Sequence, residues 1–365
     1  MNITIVGGGN VGTQIAAHCA EKGHDVTVYT SKPQHFSKHL IIINEHGETI
    51  HQGTIKSSTS DDRRAFENAD LIFITMPAYC MDDIAKKILP YVHEGMKIGI
   101  VPGTGGGECA FGECISTGAV LFGLQRVPSV ARLVEYGRVV RATGYRKTLH
   151  VASLPCSAVE EVRYLIASIF DMECEALPHY LNLTLTPSNP ILHTTRLRTI
   201  FEDYKPGVHY ESLPLFYEEW SDKTSYLLFD CDAEVQTLCA AMREFDLSCV
   251  KSLKLHYESD TPEALTRKIR SIAGFKGLTT PSVQEAEGFI PDLNSRYFTA
   301  DFSYGLTIIK QIADLYGLAV PNISATLAWY RAISINSSEY ALSNYGINSR
   351  EDFVRFYQCG NSISY

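Results

Sequence analysis

The stretch "NITIVGGGNVGTQIAAHCAEKGHDVTVYT", residues 2–30, decides the fold. An apolar, β-rich run from Ile3 to Val6 breaks at Gly7, Gly9 and Gly12. Helical spacing follows through Ile15, Ala16 and Cys19, Gly23 closes it, and "DVTVYT" reads as a second strand. Strand, glycine turn, helix and strand within about 30 residues is the pattern of a dinucleotide-binding βαβ unit. Gly7 permits the tight turn, Gly9 lets a pyrophosphate approach the backbone, and Gly12 lets helix and strand pack closely. Asn10 and Val11 open the helix, whose free N–H groups suit a phosphate. A glycine-rich turn in a flavodoxin-like sheet is the competing reading.

The second strand ends at Tyr29-Thr30-Ser31-Lys32. An NAD site usually places Asp or Glu there to bind the ribose 2′-hydroxyl. Thr30 and Ser31 followed by Lys32 suit a 2′-phosphate better, so NADP is expected over NAD. The alternative is a solvated Lys32 with the ribose read by backbone or water. "ADLIFITMPA" (69–78) and "MKIGIVPGTGGG" (96–107) are further buried strands, with helical spacing in "DDIAKKILPYV" (82–92) between them. Ligands in such sheets lie beyond the carboxyl ends of the strands. Pro77 and Gly105 fall there and are added to the candidate cofactor contacts.

With 365 residues, two domains are expected. Hydrophobic content of 45% and charged content of 20% exclude a disordered or fibrous chain. A net charge of −9 argues against nucleic acid or an anionic membrane as partner, since both need a basic face. The ten cysteines form no Cys-x-x-Cys pair, so no metal is expected on them, and several read as small buried hydrophobes. The start reads as a strand with no basic leader, and no apolar run approaches the ~18 residues of a membrane span. A reducing cytoplasm fits, and a homodimer stays open.

From about Ala176 the pattern changes. "KTSYLLFDCDAEVQTLCAAMREFDL" (223–247), "PEALTRKIRSIAGF" (262–275), "YGLTIIKQIADLYG" (304–317) and "ISATLAWYRAIS" (323–334) all show helical spacing. The expected fold class is therefore α/β: a Rossmann doubly wound sheet domain over residues 1–174, then an all-helical domain over 175–365. Two polar clusters interrupt the second half: Asn189 with His193 and Arg196, and Arg296 with Asp301 and Tyr304. Pro190 suits a helix first turn, which makes Asn189 an N-cap candidate. Taken singly, each of these has a bland reading: a cap, a satisfied histidine, a surface charge. Arg196 and Arg198 read as solvated helix charges.

This layout resembles the opine dehydrogenase family (octopine and nopaline dehydrogenases and relatives). The resemblance rests on "NPILH" (189–193), matching an Asn-x-x-x-His motif, and on "RYFTADFSYGL" (296–306), with an Arg five residues before an Asp. "IVPGTGGGE" (100–108) and "QRVPSVARL" (125–133) also match, while Thr194 stands where many members have Pro. The resemblance implies condensation of an amino acid with a 2-oxo acid through an imine that NAD(P)H reduces. It implies His193 as acid/base, Asp301 as its orienting partner, and Arg296 as a fork for a substrate carboxylate. Asn189 would orient the His or bind substrate, and Arg132, in "VPSVAR" between the halves, is a further candidate substrate or cofactor contact. Two alternatives stand beside it. A 2-oxo-acid reductase or polyol-phosphate dehydrogenase of the same domain pairing would often use a Lys, and neither cluster holds one. A nucleotide sensor without chemistry would not need His193, Arg296 and Asp301 together.

Overall fold

The computed structural model describes residues 1–103, 105–187, 189–334 and 339–359. Its chain divides into two compact units, Met1–Thr184 with the segment from Tyr345 onward, and Leu185–Asn344.

Among the described residues the first unit carries twelve strands: β1 (Asn2–Val6), β2 (Asp25–Tyr29), β3 (His39–Ile43), β4 (Thr49–Thr54), β5 (Ser57–Thr59), β6 (Leu71–Ile74), β7 (Lys97–Ile100), β8 (Val120–Leu124), β9 (Val130–Glu135), β10 (Val139–Thr143), β11 (Thr148–Leu154) and β12 (Glu173–Ala176). Eight form one sheet in the order β12-β11-β8-β7-β6-β1-β2-β5. The run from β5 to β8 is parallel, and β11 turns antiparallel against β8. Ile3, Ile5, Leu71, Phe73, Ile98 and Ile100 are all buried. Strands covered on both faces need continuous rather than alternating apolar residues, and "LIFI" at 71–74 is such a run.

A second sheet, β4-β3-β10-β9, was not anticipated. Helix Asn10–Glu21 packs on both sheets, which is why Gly12 through Cys19 are all buried. Gly53 makes the approach of β4 possible. A Cβ there would lie 2.7 Å from Ala17 O, Ala20 Cβ and Glu21 N.

The units part at 184/185, not at 174/175. β12 still pairs with β11 at 173–176, so a cut at 174 would divide a sheet strand. The terminal helix Arg350–Cys359 also belongs to the first unit, where Tyr357 donates to the buried Glu108 carboxylate at 2.7 Å. The second unit is helical around Asn189–Ile200, Asp222–Ala241, Pro262–Ser271, Thr307–Leu315 and Pro321–Ile333. It is not purely so: β13 (Ser282–Glu285) and β14 (Gly288–Pro291) form an antiparallel hairpin. Their seven-residue neighbourhood "SVQEAEG" is polar and offered no period-2 apolar signal to read.

Candidate active site

The glycine loop ends β1 as a cradle. Gly7 adopts φ +109, open to glycine but strained for other residues, and a Cβ on Gly12 would lie 1.8 Å from Gly7 O. A Cβ on Gly9 would meet nothing within 4 Å, and helix Asn10–Glu21 has no side-chain cap. Among the glycines of this loop Gly9 is the one whose Cβ position is open, at a helix start with no side-chain cap, which fits a pyrophosphate. The side chain of Asn10 is already engaged: its Oδ1 accepts from Leu133 N at 2.7 Å, tying the loop to β9. Val11 is half-buried beside it.

At the end of β2 the three candidates differ. Thr30 is buried and its Oγ1 sits 3.1 Å from the Tyr136 hydroxyl, whereas Ser31 and Lys32 are exposed. Ser31 and Lys32 are thus the accessible pair at this strand end. Pro77 precedes the short turn Ala78–Cys80 after β6, and Gly105 takes φ +89 in the loop after β7, of which Thr104 lies outside the described residues. Arg132 is exposed on β9, opposite Arg141, and so belongs to the second sheet of the first unit. Sequence reading missed Phe36 and Tyr136. Their rings meet edge-on at 5.5 Å, and both crowd Gly8, where a Cβ would lie 2.5 Å from Phe36.

In the second unit His193 lies on helix Asn189–Ile200 and is 3% exposed. Its Nδ1 is 2.7 Å from Asp301 Oδ2. Asp301 opens a widened, π-type turn over Asp301–Leu306, in which Gly305 N donates to Ala300 O. Gly305 lets that turn press on the start of the His helix, since a Cβ there would be 2.6 Å from Pro190 Cγ. One missing side chain thereby brings two motifs 108 residues apart into hydrogen-bond contact. Asn189, the first residue of the helix, is exposed. Arg296 is exposed at the start of helix Arg296–Thr299, its guanidinium 5.5 Å from the Tyr297 ring, and it makes no ion pair among the described residues.

The other imidazole nitrogen is also taken. Nε2 lies 2.8 Å from the Tyr217 hydroxyl, a contact the sequence did not disclose. Tyr217 is 4% exposed and stacks on Phe275 at 4.0 Å. Burial pushes its phenol far above the usual tyrosine range. Arg196 holds it there. This arginine is not a solvated helix charge: it is buried, and it donates to the carbonyls of Phe216 at 2.8 Å, Leu215 at 3.2 Å and Glu219 at 2.9 Å. Burial pulls it down to about 10, so it stays protonated at neutral pH. Arg198 donates to Thr326 at 2.8 Å. So one helix carries the imidazole and, three residues on, the guanidinium that fixes the segment bearing the imidazole's partner.

Two family models divide the chain. Residues 3–153 match ketopantoate reductase PanE/ApbA, and residues 176–334 match the α-helical domain of NAD/NADP octopine/nopaline dehydrogenase. Tauropine dehydrogenase of Arabella iricolor is 25% identical over 367 residues, covering 90% of each chain. Octopine dehydrogenase of Pecten maximus is 26% identical, covering 90% of this chain and 89% of its own. The helical half thus carries the octopine/nopaline dehydrogenase domain, and over most of its length the chain is similar to opine dehydrogenases. A solved octopine dehydrogenase, with NADH and L-arginine, superposes with a TM-score of 0.84 at 21% identity, over 100% of this chain and 99% of that one. The chain is an NAD(P)-dependent oxidoreductase of the opine dehydrogenase type. Among the described residues no helix is long and apolar enough to cross a membrane.

Proposed function

We propose that the protein joins the amino group of an amino acid to a 2-oxo acid and reduces the imine, with NADPH preferred over NADH. The observation that carries this reading is the His193–Asp301 pair at 2.7 Å. Imine formation needs a proton taken from the ammonium and one given to the departing oxygen, and an imidazole does both near neutral pH. Asp301 accepts from Nδ1, which fixes the tautomer and leaves the Nε2 lone pair as the base. The Tyr217 hydroxyl stands on that lone pair. A proton therefore passes from substrate to the Tyr217 oxygen as the Tyr217 proton passes to Nε2, and the reverse hand-over protonates the leaving oxygen. Arg296 offers its fork to a substrate carboxylate. Gly7, Gly9, Gly12 and the first turn Asn10–Val11 would hold the pyrophosphate, and Ser31 with Lys32 the 2′-phosphate. When bound, the reduced nicotinamide supplies the hydride.

A screen of 2-oxo acids crossed with amino acids tests the reading, following NADPH oxidation and the mass of the secondary-amine product. Oxidation that needs no amine and yields a 2-hydroxy acid would replace it by a reductase. Cofactor binding without oxidation across the panel would replace it by a sensor.

Two side chains have direct tests. Lys32 is exposed, so its ion pair with a 2′-phosphate is worth about 1 kcal/mol. Lys32→Ala should weaken NADPH binding roughly fivefold and leave NADH unchanged in titration. A wild type that prefers NADH would refute the cofactor assignment. Arg296→Lys keeps the charge and loses the fork. The kcat/KM for the 2-oxo acid and amino acid pair should fall by about 1.5–3 kcal/mol, the value of a hydrogen bond to a charged group. The NADPH dissociation constant should not move, and an unchanged kcat/KM would remove Arg296 from the site.

A further inference from the structure

A second cluster lies on the far end of the helix that the glycine loop begins. His18 and Glu21, one turn apart near the end of Asn10–Glu21, meet His51 of β4. Each offers a ligand atom, and these atoms all lie within 4.8 Å of one another. His18 is 1% exposed, and its ring centroid is 4.4 Å from that of His51. His51 Nδ1 is 2.7 Å from Glu21 Oε2. We propose that His18, Glu21 and His51 form a binding site for a divalent transition metal ion of the zinc class, which clamps the helix to the second sheet.

Three features of the molecule support it. First, the donor set is two imidazoles and one carboxylate, which suits zinc at a three-ligand site with a fourth position open. A cation would take the place of the proton now shared between His51 and Glu21. Second, the donors are held before any ion arrives. Gly53, two residues from His51, is the position where β4 can press on the helix backbone. The Tyr145 hydroxyl lies 3.1 Å from His18 Nε2 and so fixes the plane of that buried ring. Third, the surrounding charge favours a cation. Lys22, next in sequence to Glu21, is paired with Asp171. Glu21 then leaves the cluster with one net negative charge.

The ten cysteines of the chain could also take up zinc, so the test must separate the two donor sets. Tag-free full-length protein is stripped with a chelator, dialysed against zinc sulfate and then against buffer, and its metal content is measured. Calorimetric titration with zinc alone gives stoichiometry and affinity. The expected result is one zinc per chain, with a melting temperature that rises on zinc addition. His51→Ala and Glu21→Gln alter partly exposed side chains, so these proteins should fold, with circular dichroism as the check. Each should weaken zinc binding by about tenfold or more, since disturbing even an outer partner of a metal ligand costs that much. Cobalt loading should give a visible d–d band in wild type that His51→Ala lacks. No retained zinc would overturn the proposal. So would wild-type affinity in His51→Ala and Glu21→Gln, which would move the ion to other ligands.

Discussion

His193→Ala is expected to lower turnover by about 10²–10⁴, the contribution of a positioned acid/base, while NADPH still binds. Asp301→Asn should also be severe, because an amide in place of the carboxylate can hold the imidazole in the wrong tautomer. The two side chains share one hydrogen bond of 2.7 Å and act as one device. The double variant should therefore be little slower than His193→Ala alone, not slower by the product of the two losses. Substrate kcat/KM, NADPH titration and circular dichroism on the three proteins check this. If His193 only packs the helix, His193→Gln would retain activity in proportion to folded protein, and the losses in the pair would add. A folded His193→Ala with ordinary turnover would end the mechanism.

How far the sequence discloses this site depends on how local each signal is. The cradle at Gly7, Gly9 and Gly12 is readable because its constraint lies within six residues: the Gly12 position is closed to a Cβ by Gly7 itself. The helical second half is readable because apolar spacing repeats over many turns. The second sheet is not, since β3 and β4 are held by β10 and by a helix whose register no local pattern announces. The seam of the two units is also hidden. It depends on β12 pairing with β11 and on a terminal helix that returns to Glu108. Arg196 is the instructive case. A helical arginine beside threonines looks solvated, and only the fold shows its guanidinium buried on three carbonyls of the 215–219 segment. The motif "NPILHTTR" thus carries two tasks. His193 faces the π-type turn, and Arg196 fixes the loop that returns to His193.

Tyr217→Phe is the substitution that reads out this second task. The ring stacking on Phe275, and the near-parallel Trp220 ring 6.1 Å away, need no hydroxyl, so the variant should fold and melt close to wild type. It removes one oxygen, 2.8 Å from His193 Nε2. An ordinary buried hydrogen bond would cost about 1 kcal/mol, roughly fivefold in rate. A hand-over through the hydroxyl predicts more, about 10²-fold or greater in kcat, because the path between substrate and base is cut. The phenol cannot supply this by ionising on its own, since burial holds it far above the usual range. It must take a proton as it gives one, so turnover in the wild type should show a solvent deuterium isotope effect that Tyr217→Phe reduces. Arg196→Lys should follow the same direction to a smaller degree, as the 215–219 segment loses a planar donor to its three carbonyls. A Tyr217→Phe enzyme within fivefold of wild type would leave the hydroxyl as a plain packing contact. One that turns over faster would show that Nε2 meets the substrate directly and that Tyr217 shields it.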